Sequence, residues 1–345
     1  MESAPRMNHA GLIPRWKAPT RQDVGATVEE FLCKLGGPTF LWLPGVDDTR
    51  TRAVSTLLHG NEPSGLRAIH QWIQEGQQPQ VNILCFIGSI GAALTEPLFS
   101  HRCAPGGKDL NRCFFAPFEG PEGNIAQAML QELHRTQPEA LIDLHNTSGR
   151  SPAYGVATQN GAMQEILTGI FCDHLVVTDL RLGTLMEATE TAWPTVTIEA
   201  GGATDRQAHE LAYRGFSRYV LAKDFADLSS PVIVAHHPIR VELKKGASMS
   251  YASSPVAKVD LTLLSDVDRL NFGTISTQEP LGWIGSRGLD VLWARDATGQ
   301  NLTSTLFSSH NGELRLAHAG RLMMATTNPE IAKSDCLFYL LPDGE

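Results

Sequence analysis

Residues 53–62 read Ala-Val-Ser-Thr-Leu-Leu-His-Gly-Asn-Glu and join a strand signal to two candidate metal ligands. The first six residues form an apolar, β-prone run of the length typical of a buried strand. Pro63 and Ser64 then start a helical pattern. A strand end followed by a helix start can hold the side chains of His59 and Glu62 at a fixed geometry over one point. The stretch therefore predicts a ligand site at the edge of a sheet.

The surrounding sequence, from about residue 23 to 225, alternates strand-like and helical patterns. This alternation predicts an α/β domain with a mainly parallel sheet. The predicted strands are Thr39–Leu43, Arg52–Leu58, Val81–Ile87, Ala140–His145, Tyr154–Thr158, His174–Thr178 and Thr195–Ala200. The predicted helices are Ser64–Glu75, Gly123–Gln137, Ala162–Cys172 and Asp205–Phe225. In this interpretation His59 and His145 both lie at the carboxyl ends of strands, where open α/β sheets bind ligands.

After about residue 230 the pattern changes to short β-prone runs separated by turns rich in Gly, Asn, Asp and Pro. The runs are Val232–Ala235, Ile239–Leu243, Val256–Leu264, Val291–Ala294, Glu313–His318 and Leu337–Leu341. Such a pattern is typical of a small all-β domain. The sequence thus predicts a larger catalytic domain over residues 1–230 and a small β domain over residues 231–345.

Charge and composition restrict the possible partners and location. The chain has 28 Lys and Arg against 37 Asp and Glu, a net charge of −9, and no basic cluster. We therefore expect it to bind neither nucleic acid nor an anionic membrane surface. The six cysteines are scattered, and residues 1–6 lack the apolar core of a signal peptide, which favours a cytoplasmic protein. A homo-oligomer is compatible with the sequence.

A third candidate ligand, His145, ends the predicted strand that begins at Ala140. Together with His59 and Glu62 it makes the two-histidine, one-glutamate set with which zinc peptidases hold their metal while leaving one position open for water. Alternation along the strand puts Asp143 on the same face as His145. The Asp143 carboxylate is therefore placed to orient a metal-bound imidazole.

The His-x-x-Glu spacing also recurs at residues 310–313, which read His-Asn-Gly-Glu. Asn-Gly is the strongest two-residue hairpin signal, so we interpret this copy as a plain turn. The remaining histidines are interpreted as ordinary core or surface residues; they include His70, His134, His174, His209, His318 and the pair His236-His237. The copy at residues 59–62 differs because a predicted strand precedes it and a predicted helix follows it; the spacing is the same in both copies.

Residues 108–112, Lys-Asp-Leu-Asn-Arg, lie in the long loop that follows the strand Val81–Ile87. Loops after strand ends often carry function, and the planar fork of Arg112 suits a substrate carboxylate. The alternative is a surface arginine paired with Asp109, an interaction of little energetic value.

Glu199 lies at the end of an otherwise apolar strand, just before Gly201 and Gly202. A buried carboxylate costs free energy unless it has a partner, and desolvation would raise its pKa. A metal site needs a proton acceptor of this kind for its water. The alternative interpretation is a turn or helix-capping carboxylate.

Together these motifs resemble the succinylglutamate desuccinylase/aspartoacylase family, whose members are related to zinc carboxypeptidases. The resemblance covers residues 55 to 202 in the family's order and extends loosely to Leu270–Gly273 and Pro280–Gly282. It implies a zinc-carboxypeptidase-like three-layer α/β sandwich with a mixed, mainly parallel sheet and a small C-terminal all-β domain. It also implies one zinc ion per chain and a small-molecule substrate, an N-acyl amino acid whose amide bond is hydrolysed.

The resemblance implies a role for each matching residue. The implied zinc ligands are His59, Glu62 and His145; the implied general base and acid is Glu199; the implied substrate contacts are Asn111, Arg112, Asn146 and Thr147; and the implied group that polarises the scissile carbonyl is Arg102. Asp143 would orient His145 from outside the ligand set.

The sequence also departs from the family pattern. The loop between Arg102 and Asp109 is longer than usual, and Gly88–Gly91 stands where the family has Asn-Pro. A second carboxylate-binding arginine is missing from Gly183–Trp193. The acyl group and the amino acid therefore stay open. Two alternatives remain: a zinc carboxypeptidase that acts on short peptides, and a non-catalytic module that binds a metal or a small molecule.

Overall fold

A computed structural model describes residues 13–179, 181–228, 230–296 and 298–342. Within these ranges the chain forms two compact units. The first consists of residues 13–146, 153–175 and 181–234, and the second of residues 147–152, 176–179 and 235–342. Two short pieces from the first two thirds of the sequence therefore belong to the C-terminal unit.

The described residues include a large sheet of nine strands. They are β1 (Arg15–Lys17), β2 (Thr39–Leu43), β3 (Asp47–Thr56), β4 (Val81–Ile87), β5 (Leu141–Thr147), β6 (Tyr154–Ala157), β7 (His174–Val177), β8 (Thr195–Gly202) and β9 (Ile233–His236), in the spatial order β1-β2-β4-β3-β5-β8-β6-β7-β9. The pairs β1 with β2, β3 with β4 and β3 with β5 are parallel. The pairs β2 with β4 and β6 with β8 are antiparallel. The sheet is mixed and mainly parallel, as predicted.

Helices cover both faces of this sheet. They are α1 (Arg21–Val24), α2 (Val28–Leu35), α3 (Ser64–Glu75), α4 (Ile90–Leu94), α5 (Gly120–Thr136), α6 (Ala162–Gly169), α7 (Leu185–Thr189) and α8 (Arg206–Leu221). Alternate residues of β4 enter different cores: Ile83 and Cys85 pack with α2, α3 and α8, whereas Leu84 and Phe86 pack with α5. Because side chains alternate along a strand, one apolar run supplies both cores. The predicted three-layer α/β sandwich is confirmed.

Several predicted elements have the observed bounds, namely Thr39–Leu43, Val81–Ile87 and Ser64–Glu75. The predicted end of β3 at Leu58 is wrong, because Leu57 adopts a left-handed conformation (φ 55°) that stops the strand at Thr56. His59 therefore lies in a turn after the strand. The end predicted for β5 is also wrong: the strand continues to Thr147, so His145 lies within it. The strand β1 and the helices α1 and α2 were not predicted.

The second unit contains two sheets of five strands within the described residues. The strands are β10 (Ile239–Leu243), β11 (Met249–Ala252), β12 (Leu261–Leu264), β13 (Thr274–Ile275), β14 (Pro280–Ile284), β15 (Leu292–Arg295), β16 (Phe307–His310), β17 (Glu313–Leu316), β18 (Gly320–Met323) and β19 (Phe338–Pro342), with short helices α9 (Thr303–Leu306) and α10 (Pro329–Ser334). Apolar side chains such as Val241, Leu263 and Leu314 fill its core.

The structure tests the predictions for the turn at residues 310–313 and for the run Val232–Ala235. His310 pairs with Glu313 across the β16–β17 hairpin, and Asn311 and Gly312 both have positive φ, so the plain turn is confirmed. The prediction that the run Val232–Ala235 forms a strand of the β domain is wrong. That strand, β9, lies at the edge of the nine-stranded sheet next to β7.

No helix in the described ranges is both long and apolar enough to cross a membrane. The six cysteines all lie in described residues and form no disulfide. Residues 1–6, from which the sequence argues against a signal peptide, lie outside the described residues. The cytoplasmic location stays a prediction.

Candidate metal-binding active site

A tight turn after β3 brings the first two candidate ligands together. The backbone N–H of Glu62 donates to the carbonyl of His59 at 3.2 Å. Gly60 lies inside this turn, and a Cβ at that position would stand 2.6 Å from both Ala92 Cβ and Ala93 N. Any larger residue would therefore displace the turn. Its position is fixed further by the Gly60 N–H, which donates to the carbonyl of Arg102 at 2.9 Å.

The third candidate ligand comes from the neighbouring strand β5, which pairs in parallel with β3. His145 and Asp143 are two residues apart, so both side chains project from the same face. Both are buried, and Asp143 has no exposed surface.

The Glu62 carboxylate lies between the two histidines. Its Oε1 is 2.8 Å from His59 Nδ1 and its Oε2 is 2.7 Å from His145 Nδ1. One ligand atom from each of the three residues lies within 4.8 Å of the others, and all three residues are buried. The structure thus brings together the three residues, at positions 59, 62 and 145, that the sequence predicts as metal ligands.

The outer nitrogen of each imidazole is held by a second carboxylate. His145 Nε2 is 2.9 Å from Asp143 Oδ2, and His59 Nε2 is 3.1 Å from Asp109 Oδ1. Such partners fix the orientation of a metal-bound histidine and raise its basicity. Asp143 takes the position predicted for it, and Asp109 plays the same part for the other ring.

Charges within this cluster stabilise one another. Burial alone would raise the pKa of Glu62, but His59 and His145 outweigh it and hold the pKa well below its usual range. Burial likewise opposes the charge of His145, yet Asp143 and Glu62 raise its pKa well above the ordinary value. The pKa of Asp109 is held low by His59 and Arg102 against the effect of burial. These contacts therefore favour the ionised forms of Glu62 and Asp109.

This donor set fits a zinc ion. Two imidazole nitrogens and one carboxylate oxygen are the ligands of catalytic zinc sites that leave a fourth position for water or substrate. Both Nδ1 atoms face the same carboxylate, while both Nε2 atoms are occupied by other carboxylates. His59, Glu62 and His145 can therefore hold a metal through His Nδ1, Glu oxygen and His Nδ1.

Glu199 lies on β8 and pairs in register with Tyr154 of β6. Its side chain is half-buried, and Oε2 is buried without a hydrogen-bond partner among the described residues. Burial raises the pKa of Glu199 to about 7, and Glu62 adds to the rise while His145 opposes it. A carboxylate with this pKa can accept and return a proton near neutral pH.

Arg102 reaches the site despite its longer loop. Its Nε donates to Asp109 Oδ2 at 3.0 Å, and one terminal nitrogen lies 3.7 Å from Glu62 Oε1. Arg112 is half-buried and donates to the carbonyl of Asn111 at 2.8 Å. It also contributes to the low pKa of Asp109, so both arginines add positive charge around the site.

The sequence of residues 48–222, about half of the chain, matches the succinylglutamate desuccinylase/aspartoacylase catalytic domain. The chain belongs to this family. The matched range contains all three candidate metal ligands, Arg102, Arg112 and Glu199. Family membership makes the chain a hydrolase of the deacylase class. A comparison with curated protein sequences finds no significant match.

Solved structures support the fold of this family. A succinylglutamate desuccinylase/aspartoacylase from Rhodobacter sphaeroides is 14% identical with a TM-score of 0.56, covering 89% of this chain and 88% of that one. A succinylglutamate desuccinylase from Vibrio parahaemolyticus is 14% identical with a TM-score of 0.56, covering 88% and 85%. The product-bound ectoine utilization protein EutE (DoeB) from Ruegeria pomeroyi is 15% identical with a TM-score of 0.50, covering 83% and 82%.

Three of the predicted substrate contacts have side chains that bond to the protein itself. Asn111 Oδ1 accepts from the backbone N–H of Leu185 at 3.0 Å. Thr147 Oγ1 donates to the carbonyl of Gly149 at 2.7 Å. Asn146 is buried; its Oδ1 accepts from the backbone N–H of Ser64 and its Nδ2 donates to the carbonyl of Gly201. Their contact with substrate stays a prediction.

The sequence did not reveal the roles of three residues. The sequence indicates Asp109 only as a possible partner of Arg112, and Ser64 only as part of a helix start. It predicts His209 to be an ordinary histidine, but the His209 Nδ1 lies 2.7 Å from Ser64 Oγ. No spacing in the sequence indicates these contacts, because their partners are far apart in the chain and only the folded sheet brings them together.

Proposed function

We propose that this protein is a zinc-dependent hydrolase that cleaves the amide bond of an N-acyl amino acid, with Glu199 as its general base. The observation that carries the proposal is the arrangement around Glu62. Its carboxylate faces the Nδ1 atoms of His59 and His145 at 2.8 and 2.7 Å, as expected for three ligands of one cation. Family membership supports a deacylase over other zinc hydrolases.

Zinc in such a site polarises the scissile carbonyl and lowers the pKa of water, so that attack becomes possible at neutral pH. The protein's own residues perform the remaining tasks. Asp109 and Asp143 hold the two imidazoles in position. Glu199 takes a proton from the attacking water and delivers it to the leaving amine, which requires a pKa near neutrality.

The two arginines supply charge where the substrate is negative. Arg102 lies beside Glu62 and stabilises the carbonyl oxygen as negative charge develops on it. Arg112 binds the carboxylate of the amino-acid part, for which a planar guanidinium is well shaped. The missing second arginine argues against an acyl-amino acid whose amine half carries two carboxylates.

The experiment is an assay of the zinc-loaded protein on N-acetyl, N-succinyl and N-formyl amino acids, with short peptides alongside. The proposal predicts release of a free amino acid from at least one N-acyl series. Release of C-terminal residues from peptides, with no action on N-acyl amino acids, would identify a carboxypeptidase. Zinc binding without any hydrolysis would identify a binding module, and either outcome would overturn the proposal.

A further inference from the structure

Asn146, the neighbour of the ligand His145 in β5, uses its whole side-chain amide inside the protein. Oδ1 accepts from the backbone N–H of Ser64 at 3.0 Å, and Nδ2 donates to Ser64 Oγ at 2.7 Å and to the carbonyl of Gly201 at 2.9 Å. A backbone N–H can only donate and a carbonyl can only accept, so these two bonds fix the orientation of the amide. Its acceptor oxygen and both of its N–H hydrogens are used.

The bonded positions relate directly to the site. Ser64 comes two residues after the ligand Glu62, and Gly201 comes two residues after Glu199. The backbone N–H of Asn146 also donates to Glu62 Oε2 at 3.3 Å. A single buried side chain therefore joins the segments that carry a histidine ligand, the glutamate ligand and the proposed general base.

A second residue supports this junction from α8. Ser64 Oγ accepts from Asn146, so its own hydrogen is available for His209 Nδ1 at 2.7 Å. This assignment requires a neutral imidazole with the proton on Nε2. Burial and the nearby Arg67 guanidinium lower the pKa of His209, which favours that neutral form.

We propose that Asn146, Ser64 and His209 form a positioning network that fixes Glu62, His145 and Glu199 relative to one another. His209 is its outermost member and Asn146 its centre. The inference rests on the proposed zinc-dependent function. It assigns Asn146 to positioning in place of the substrate contact implied by the family resemblance. None of the three residues touches the reacting atoms in this assignment.

The test uses His209→Ala and Ser64→Ala in the full-length protein, with His70→Ala as the matched control. His70 is a buried histidine on the same helix as Ser64, but its Nε2 bonds to the carbonyl of Gly25 at 3.0 Å, away from the network. Zinc affinity is measured by competition with a chelator, together with kcat, KM and the thermal midpoint. Outer positioning residues of metal sites typically change affinity by about 10-fold or more.

We expect His209→Ala and Ser64→Ala each to weaken zinc binding by about 10-fold and to lower kcat with little change in KM. His209→Asn, whose Oδ1 can replace Nδ1 as acceptor, restores both quantities. The double variant is no worse than Ser64→Ala alone, because both substitutions remove the same bond. His70→Ala lowers only the thermal midpoint.

Two results would overturn the network. The first is that Ser64→Ala, which removes a single oxygen atom, leaves zinc affinity and kcat equal to those of the unaltered protein. The other is a loss in His209→Ala that His70→Ala reproduces, which would show a general packing effect. If the unaltered protein itself neither binds zinc nor hydrolyses N-acyl amino acids, the proposed function fails and not merely the network.

Discussion

Glu62 is the residue on which the site depends, because one carboxylate serves two imidazoles and each imidazole has a second carboxylate behind it. Burying ionised groups is unfavourable unless each has close partners of opposite charge. Here the pKa of Glu62 is held low and that of His145 is held high by their contact and by Asp143. Such an arrangement is stable only with a positive charge at its centre, either protons or a metal ion.

Asp109→Asn tests the outer carboxylates. The amide keeps the size of Asp109 but removes the charge beside His59 Nε2. We expect zinc affinity to fall by about 10- to 100-fold, as for other outer partners of metal-bound histidines. Chelator competition measures it, with Asp205→Asn at the exposed start of α8 as the control. An affinity equal to that of the unaltered protein would show that Asp109 does not support the ligand.

Glu199→Gln tests the general base. We expect zinc to be retained and kcat to fall by about 100-fold or more, since an amide cannot accept the proton. The pKa of Glu199 is raised to about 7, and the base must be ionised to act. The activity of the zinc-loaded enzyme therefore falls as the pH drops through the pKa of Glu199, which a nearby zinc ion lowers from about 7. Full activity in the variant, or an unchanged acid limb, contradicts the assignment.

The proposed ligands His59, Glu62 and His145 and the proposed base Glu199 carry a clearer sequence signal than their supports do. Each lies at or just after an apolar strand-like run, a local signal that needs no knowledge of distant residues. The supports join distant positions: Asp109 is 50 residues from His59, and His209 is 145 residues from Ser64. Their pairing depends on strand order and loop path, which the sequence pattern does not contain.

Among the elements, β3 carries the site because of how it ends. Leu57 is fully buried in a left-handed conformation that non-glycine residues seldom adopt. Periodicity predicted the strand but not this conformation, since leucine gives no turn signal. The fully buried strand β4 has the predicted bounds, whereas the short edge strand β1 has too few apolar residues for a pattern.

Arg52 on β3 secures the helix α8, which supplies His209. Its buried guanidinium donates to the carbonyls of Tyr219 and Ala222 at 2.6 and 2.8 Å and pairs with Glu139. We expect Arg52→Met to lower the free energy of unfolding by about 3 kcal/mol, because these groups lose their partner. Arg50 pairs with the same Glu139 but is partly exposed, so Arg50→Met should cost below about 1 kcal/mol. Equal losses in urea unfolding would refute this role.

At the domain level, residues 147–152, which begin at the last residue of β5, belong to the C-terminal unit. Asp268 accepts from the backbone N–H of Arg150 at 3.0 Å, and Asn271 Nδ2 donates to the carbonyl of Arg150 at 2.7 Å. A boundary at residue 230 follows from the change in sequence pattern. That pattern cannot show that an earlier loop bonds to residues more than 100 positions later, and the domain division stays a proposal.

Asn271→Ala tests how firmly this loop is held. The buried amide also bonds to the N–H and the carbonyl of Ala325 at 2.9 and 3.0 Å. Its loss removes a hydrogen bond from two buried backbone groups of Ala325 and from the partly buried carbonyl of Arg150, and we expect a destabilisation of about 1–3 kcal/mol in urea unfolding. Asn301→Ala, at an exposed residue whose amide accepts from Thr303, is the control and should change stability by less. A change at position 271 no larger than that at 301 would contradict the assignment.

We propose that one zinc ion per chain enables hydrolysis of an N-acyl amino acid. To test this, the protein is stripped of metal, zinc is added in steps, and amine release is followed with the best substrate of the N-acyl panel. We expect no activity in the stripped protein and a linear rise that stops at one zinc per chain. Activity that survives stripping, or zinc uptake at one per chain without amine release from any member of the panel, would contradict it.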